Sequence, residues 1–258
     1  MTRPIAALFA LLLVAACGEV IPRDPVHVGE DPSDGGTHGG APDGGGDYVR
    51  PKPVTIDLGA VDKLRFAATG DTRPTNCDET DKYPTAVIRQ IATRIEARKP
   101  QFAIDVGDHM FVCNSGLADA RKQMGFYTDA IALFSGRWFM TMGNHECDKS
   151  YCPPWSTSVN YVAYMEAMKP TSPLPYYAVD VQTKLGLARI VIVATNTWDS
   201  AQSAWLEEIL ADADAKAKYT IVARHHPLDG YQGGSPASLV IMKKHKYALW
   251  LTGHSHRY

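Results

Sequence analysis

The sequence predicts an α/β domain, and three observations support that prediction. From about residue 63 onward, short apolar runs alternate with longer segments of helical spacing, which is the pattern of strands alternating with helices. The chain has 258 residues, is 45% hydrophobic and carries a formal net charge of -2, so it is long enough for one sizeable core. Polar motifs follow the apolar runs, as ligand-binding loops follow the strands of an open α/β sheet.

Six apolar runs are predicted to be buried strands, because they are short, continuous and rich in aliphatic and aromatic side chains. They cover residues 64–69, 102–106, 138–142, 190–195, 220–223 and 248–252. Residues 176–181 and the turn at 184–186 are predicted to form a hairpin with the run 190–195.

Three segments between these runs have the apolar spacing of amphipathic helices and are predicted to be helical. They are residues 83–98, 117–134 and 202–213. The cluster Lys243-Lys244-His245-Lys246 is predicted to lie on a solvated helix face. It is the only dense basic cluster in the sequence, so we expect no nucleic-acid-binding patch.

The first seventeen residues are predicted to be a lipoprotein signal peptide. Arg3 precedes an apolar run, residues 5–16, that is too short to span a bilayer as a mature helix. The ending Val14-Ala15-Ala16-Cys17 resembles the bacterial lipobox, in which the cysteine is acylated and becomes the new N-terminus. An ordinary secretory peptide is the alternative. We therefore expect a lipid-anchored protein of the bacterial cell envelope, periplasmic or surface-exposed, held to the membrane through acylated Cys17.

Residues 18–53 are predicted to be a flexible linker between the lipid and a folded domain, residues 54–258. The segment repeats Gly, Pro and Asp and has hardly any large apolar side chains. It therefore cannot bury enough surface to offset the entropy that its backbone would lose on ordering.

Four cysteines remain after Cys17, and an even number in an exported chain indicates disulfides. Four cysteines allow three pairings. We favour Cys147 with Cys152, which are close in sequence, and Cys77 with Cys113, which follow two motifs expected to converge. A zinc site built from cysteines is the alternative, although no Cys-x-x-Cys spacing supports it.

Five polar residues each lie within a few positions of the C-terminal end of a predicted strand. They are Asp71, Asp108, Asn144, His225 and His254. Because such strand ends meet at one edge of a sheet, we expect these side chains to lie close together. Carboxylate, amide and imidazole groups are suitable ligands for two neighbouring divalent ions, and Asp108 is the natural bridge between them.

The motifs that contain these residues resemble the calcineurin-like metallophosphoesterase family over residues 64–258. They are, in order, Gly70-Asp71-Thr72-Arg73, Gly107-Asp108-His109, Gly143-Asn144-His145-Glu146, Arg224-His225-His226-Pro227 and Gly253-His254-Ser255-His256. Gly-Asn-His-Glu together with Gly-His-Ser-His is a specific pair, whereas Gly-Asp alone is weak. The resemblance implies a four-layer α/β/β/α sandwich. It is expected to be C-terminally short, since the chain stops directly after the last motif, either as a shortened member of the family or as an incomplete one.

The resemblance also implies two divalent metal ions, Mn, Fe or Zn, and their ligands. One ion takes Asp71, Asp108 and His256, and the other takes Asp108, Asn144, His225 and His254. The catalytic histidine of the family falls on His145, which would stabilise the transition state or protonate the leaving oxygen. Glu146 would orient that imidazole through its second nitrogen. His226 is expected to be structural, because adjacent side chains on an extended segment point in opposite directions, and a substrate-facing role is the alternative.

One position departs from the family pattern. Arg73 stands where many relatives have the histidine of Asp-x-His, and arginine does not ligate a cation. The purple acid phosphatase branch compensates with a tyrosine three residues after the bridging aspartate, where this chain has Phe111. Water, His109 or substrate must then complete the first site, or its metal binds weakly. Arg73 itself either clamps a phosphate oxygen or forms an ion pair that holds its loop.

The resemblance implies a phosphoric ester hydrolase in which a metal-bound hydroxide attacks the phosphorus of a small phosphate mono- or diester in a single in-line step. The alternative is a membrane-tethered phosphate- or ligand-binding protein of the same fold that has lost catalysis. A zinc hydrolase of amides or lactams fits the ligand types but not the Gly-Asn-His order. The loops expected to shape the pocket carry no base or sugar motif, so the substrate is not predicted.

Overall fold

The computed structural model describes residues 52–147, 152–153, 156–228, 230 and 232–256. Strands and helices alternate along this part of the chain. In order they are β1 Thr55–Val61, β2 Phe66–Thr69, α1 Thr85–Arg98, β3 Phe102–Asp105, α2 Leu117–Ile131, β4 Arg137–Met140, α3 Val159–Met168, β5 Tyr177–Thr183, β6 Gly186–Val193, α4 Ser200–Lys216, β7 Ala217–Arg224, α5 Ser235–Met242 and β8 Leu249–Leu251.

The strands form two sheets that pack face to face. The smaller sheet has the order β2-β3-β4 and is parallel. The larger sheet has the order β1-β5-β6-β7-β8, in which β5 and β6 are the antiparallel pair. Side chains alternate along β6: Ile190 and Ile192 join the central core with Phe102 of β3, whereas Val191 packs with Leu206 of α4.

Helices cover the outer faces of both sheets. Ile95 of α1 packs against Ala103 of β3 on the outside of the smaller sheet. Leu206 and Leu210 of α4 and Ile241 of α5 pack on the outside of the larger sheet. The predicted α/β/β/α sandwich is confirmed.

The predicted secondary structure is confirmed where the sequence pattern was strong. All six predicted strands occur, and so do the three predicted helices. The predicted hairpin is the pair β5 and β6, in which Thr183 faces Gly186 across the turn. The basic cluster is exposed as predicted at residues 243, 244 and 246, but its predicted place on a helix is wrong. Helix α5 ends at Met242, and residues 243–245 form the following turn, where Lys244 pairs with Glu207 of α4 at 3.1 Å.

Three elements were not predicted, and each lacks a regular apolar pattern. In β1 the alternation of exposed and half-buried residues breaks where the register shifts between Asp57 and Ala60. In α3 apolar residues occur on nearly every side of the helix, and the buried residues include the polar Asn160. In α5 four apolar residues follow one another, and Val240 among them is exposed, so no single apolar face marks a helix.

No helix among the described residues is long and apolar enough to cross a bilayer. The predicted signal peptide, residues 1–17 with Cys17, lies outside the described residues, as does the linker 18–53 except for its last two positions. The lipid anchor therefore stays a prediction.

Both favoured disulfides are present. Cys77 and Cys113 have Cα atoms 5.9 Å apart, and those of Cys147 and Cys152 lie 5.6 Å apart. The first bridge joins the loop after β2 to the loop after β3. Asp78 reinforces this connection, because its carboxylate accepts the backbone N–H groups of Cys113 at 2.9 Å and of residues 114 and 115 at 3.2 Å.

Removing the Cys77–Cys113 bridge is expected to lower the free energy of unfolding by about 2 to 4 kcal/mol, because it releases a loop of 36 residues in the unfolded chain. The matched double alanine variant at Cys147 and Cys152 opens only 5 residues, and we expect about half that loss on the same entropic argument. Urea unfolding of both variants measures the difference. Equal losses, or the reverse order, would show that loop entropy does not set the effect.

Candidate metal centre

The loops that follow β2, β3, β7 and β8 meet at one edge of the sandwich. The N–H of Asp71 donates to the carbonyl of Gly107 at 2.9 Å, and the N–H of Gly253 donates to the carbonyl of His225 at 2.9 Å. The N–H of His254 donates to the two carboxylate oxygens of Asp71 at 3.0 and 3.1 Å. The bonds from His254 to Asp71 cross between the two sheets, so the edge is one connected site.

Four donor atoms form a compact cluster at this edge. Asn144 Oδ1 lies 3.1 Å from His225 Nε2 and 2.8 Å from His254 Nδ1, and those two nitrogens are 3.2 Å apart. His225 Nε2 is also 3.3 Å from Asp108 Oδ1. Metal bonds of about 2.0 to 2.2 Å place neighbouring ligand atoms roughly 3 Å apart. The spacing of these atoms therefore fits the coordination shell of one divalent ion.

The imidazole of His225 is oriented for coordination by its second nitrogen. Its Nδ1 lies 2.7 Å from the carbonyl oxygen of Val106, which can only accept, so Nδ1 carries the proton and Nε2 offers a lone pair to the cluster. Burial lowers the pKa of His225, but the Asp108 carboxylate outweighs that effect and raises it above the ordinary value. The raised pKa of His225 reflects the negative charge that Asp108 brings to the cluster.

The backbone is held in uncommon conformations at three of the polar residues. Asp71, Asp108 and His254 have φ values of 55°, 61° and 70°, in the left-handed region that side chains with a Cβ rarely adopt. Gly107 and Gly143 allow the loops to approach closely: a Cβ on Gly143 would lie 2.3 Å from Asp108 Oδ1. Strain of this kind concentrates at functional sites.

The pattern of the site has a counterpart among known proteins. The family model of the calcineurin-like phosphoesterases matches residues 64–258. The chain belongs to this family. As a calcineurin-like phosphoesterase, the protein is a phosphoric ester hydrolase.

A solved structure supports the fold of this phosphoesterase. A dimetal phosphatase from Danio rerio superposes with a TM-score of 0.51 and 12% sequence identity, over 75% of this chain and 82% of that one. No curated protein matches the sequence.

The carboxylate of Asp108 lies at the centre of the candidate site, between His225, His145 and Arg73. Its side chain is 2% exposed, and its Oδ1 accepts the N–H of His145 at 3.2 Å. Its Oδ2 lies 3.5 Å from Arg73 Nε. Burial would raise the pKa of this carboxyl, but the charges of His225 and His145 hold it well below its ordinary value. Asp108 is therefore ionised and available as a ligand.

Asp71 and His256 lie beside this cluster but do not join it. His256 Nε2 is 3.4 Å from Asp71 Oδ1, and the His256 side chain is 53% exposed. Among the described residues, the compact group of metal-binding side chains is Asp108, His225 and His254. The structure thus brings the predicted ligands of the second ion together more closely than those of the first.

His145 lies at the open side of the site. Its Nε2 is 3.8 Å from Asp108 Oδ2, and its side chain is 18% exposed. The ring meets the edge of Phe111 at 4.1 Å between centroids, and Asn160 donates to its backbone carbonyl at 2.9 Å. Burial lowers the pKa of the imidazole. His145 is therefore a partly exposed imidazole beside the Asp108 carboxylate.

Glu146 has contacts different from those predicted. Its carboxylate is fully buried and accepts backbone N–H groups of Gly143 at 2.7 Å, Asp108 at 3.0 Å and His109 at 2.7 Å. The imidazole in contact with it is that of His109, whose Nδ1 lies 3.5 Å from Oε1. The prediction that Glu146 orients His145 is corrected accordingly, since this carboxylate instead joins the loops after β3 and β4.

His109 is a buried cation and is unavailable as a metal ligand. Its Nε2 pairs with Asp105 Oδ1 at 2.9 Å, and the rings of Tyr127 and Tyr164 pack on it. Burial lowers its pKa, but the charges of Asp105 and Glu146 outweigh burial and raise it to about 10. The only sequence signal for this pair was an aspartate four residues before the histidine.

His226 is held by hydrogen bonds at both ring nitrogens. Nδ1 lies 2.8 Å from Thr195 Oγ1, and Nε2 lies 2.9 Å from Gln232 Oε1. Because the amide oxygen can only accept, Nε2 carries the proton and Nδ1 accepts from the threonine hydroxyl. Burial and the neighbouring His225 lower the pKa of His226 to about 4. The side chain is neutral and structural.

Proposed function

We propose that the chain is a metal-dependent phosphoesterase that hydrolyses small phosphate mono- or diesters. The observation that carries this proposal is the cluster of Asp108, Asn144, His225 and His254, in which neighbouring ligand atoms lie 2.8 to 3.3 Å apart. Its mixture of carboxylate, amide and imidazole fits Mn, Fe or Zn. The sequence pattern assigns Asp71, Asp108 and His256 to a second ion. A divalent ion bound here would supply an activated water and neutralise phosphoryl oxygens.

The side chains of the site have separate roles in this proposal. Asp108 contributes negative charge, and the carbonyl of Val106 fixes the tautomer of His225. His145 faces the open side with its imidazole 3.8 Å from Asp108, where it can donate a proton or a hydrogen bond to the leaving oxygen. A positioned general acid contributes about 10²- to 10⁴-fold to the rate.

A membrane location is part of the proposal. The lipobox-like ending at Cys17 and the Gly/Pro/Asp-rich residues 18–53 support a phosphoesterase tethered to the bacterial cell envelope.

Hydrolysis of p-nitrophenyl phosphate and bis(p-nitrophenyl) phosphate by the 258-residue chain tests the proposal. We expect a rate with manganese that chelator removes and added metal restores. His145→Gln is expected to lower kcat by about a hundredfold or more, because it removes the general acid. His245→Gln is the matched control: His245 precedes β8, bonds to Asp214 of α4 at 2.8 Å and is expected to leave the rate within about twofold, as a site remote from the chemistry does.

A folded chain that hydrolyses neither ester at any metal concentration would contradict the proposal. That result would favour the alternative, a tethered binding protein of the same fold that has lost catalysis. Equal losses in His145→Gln and His245→Gln would contradict the role given to His145.

A further inference from the structure

Arg73 lies inside the metal centre, on the side where the sequence pattern places the first ion. Its Nε is 3.5 Å from Asp108 Oδ2, and its guanidinium carbon lies 4.6 Å from the centroid of the Phe111 ring. Its Nη1 donates to the carbonyl of Pro74 at 3.0 Å. The side chain is 17% exposed. Charge, ring and backbone contacts together hold the guanidinium in one place.

The two oxygens of the Asp108 carboxylate face different partners. Oδ1 is 3.3 Å from His225 Nε2 and belongs to the compact donor cluster. Oδ2, the oxygen that would reach a second ion, faces Arg73 instead. Arginine stays protonated in proteins, so a permanent positive charge lies against this oxygen and opposes the approach of another cation.

Asp71 and His256, the other predicted ligands of the first ion, are not arranged around one point as the donor atoms of the compact cluster are. Both oxygens of Asp71 accept the N–H of His254. His256 is half-exposed, and its contact in this region is with Asp71. These two residues are not members of the compact metal-binding group found among the described residues. A transition-metal site needs about four ligands converging on one point, and no such group forms on this side among the residues that the structure describes.

We propose that Arg73 takes the place of the second metal ion. The chain then binds one divalent ion, at Asp108, Asn144, His225 and His254, and the guanidinium supplies the second positive charge of the site. As part of the proposed phosphoesterase function, that charge binds an oxygen of the phosphate group, which suits the planar hydrogen-bonding fork of arginine. The positive charge of Arg73, which is part of the chain, then replaces that of a metal ion that would have to be bound from solution.

Metal stoichiometry tests this without any measurement of activity. The 258-residue chain is stripped with chelator, titrated with manganese and analysed for bound metal by mass spectrometry. We expect one ion per chain and the six-line electron paramagnetic resonance spectrum of isolated manganese. Arg73→His restores an Asp-x-His motif, and we expect two ions per chain with the broadened spectrum of a spin-coupled pair.

Arg73→Gln is the matched variant, because it removes the charge without adding a ligand. We expect it to bind one ion, and to bind inorganic phosphate about tenfold more weakly than the natural chain, as loss of a charged hydrogen bond implies. Two ions bound by the natural chain would overturn the proposal. So would a single ion in Arg73→His, since Arg73 would then not be what excludes the second ion, or an unchanged phosphate affinity in Arg73→Gln.

The same experiment distinguishes failure of the proposed function from failure of the role given to Arg73 alone. A natural chain that binds no manganese at all removes the metal centre, and with it both the phosphoesterase proposal and the role of Arg73. A chain that binds two ions and hydrolyses phosphate esters removes only the role of Arg73.

Discussion

Replacing Asp108 by asparagine is expected to lower kcat for phosphate-ester hydrolysis by about a thousandfold or more, since a bound metal ion contributes several kcal/mol and each 1.36 kcal/mol is tenfold in rate. The carboxylate faces His225 on one oxygen and Arg73 on the other. The amide preserves its shape and its acceptance of the His145 N–H. It removes the negative charge that attracts the ion, so metal affinity should fall together with the rate.

The control is the same substitution at Asp129, an exposed residue of α2. Asp129→Asn is expected to leave kcat, manganese affinity and melting temperature unchanged. Rates are measured with p-nitrophenyl phosphate over a range of manganese concentrations, and folding is followed by circular dichroism. Activity of Asp108→Asn within tenfold of the natural chain at saturating metal would show that this charge is not required, and the site would need reassignment.

The strands that the sequence predicts best are those buried on both faces. In β6 and β7 the central residues are almost fully buried on either side, so an unbroken apolar run appears in the sequence. β1 lies at the edge of the larger sheet and is exposed at alternate positions, with a bulge near Gly59. Ile56 and Leu58 pack on the core, but the bulge interrupts their alternation after two positions. The apolar pattern is therefore short, and for that reason β1 was missed.

The candidate site was predictable as a location, because strand ends in an α/β fold share one edge. The sequence did not predict which charged side chains contact each other within the site. His109 and Asp108 are adjacent in sequence, yet their side chains have different surroundings. The imidazole of His109 is buried against Asp105, whereas the carboxylate of Asp108 faces the donor cluster. Which side chain turns inward depends on the turn after β3, where Asp108 has a φ of 61°. No sequence period specifies that turn.

Glu146 illustrates the same limit, since its place within a Gly-Asn-His-Glu motif suggested catalysis. Its carboxylate accepts the N–H of Gly143 from one loop and those of Asp108, His109 and Met110 from another, at 2.7 to 3.3 Å. It also offsets the charge of buried His109. A buried anion with this many donors is part of the scaffold that gives the two loops their positions.

Glu146→Ala is therefore expected to lower the free energy of unfolding by about 3 to 5 kcal/mol, because it leaves a buried cation and several backbone N–H groups without their acceptor. Urea unfolding of the 258-residue chain measures the loss. Glu166→Ala is the control, since that carboxylate forms an exposed pair with Arg121 at 2.6 Å, and exposed pairs contribute about 0 to 1 kcal/mol.

The two roles considered for Glu146 predict different results in that experiment. If the carboxylate only oriented the imidazole of His145, Glu146→Ala would remain as stable as Glu166→Ala and would lose kcat alone. If it joins the loops after β3 and β4, stability falls first, and metal affinity falls with it because Asp108 and Asn144 lie on those loops. A stable variant with a low kcat would restore the orienting role, whereas the contacts of Glu146 with four backbone N–H groups lead us to expect the opposite.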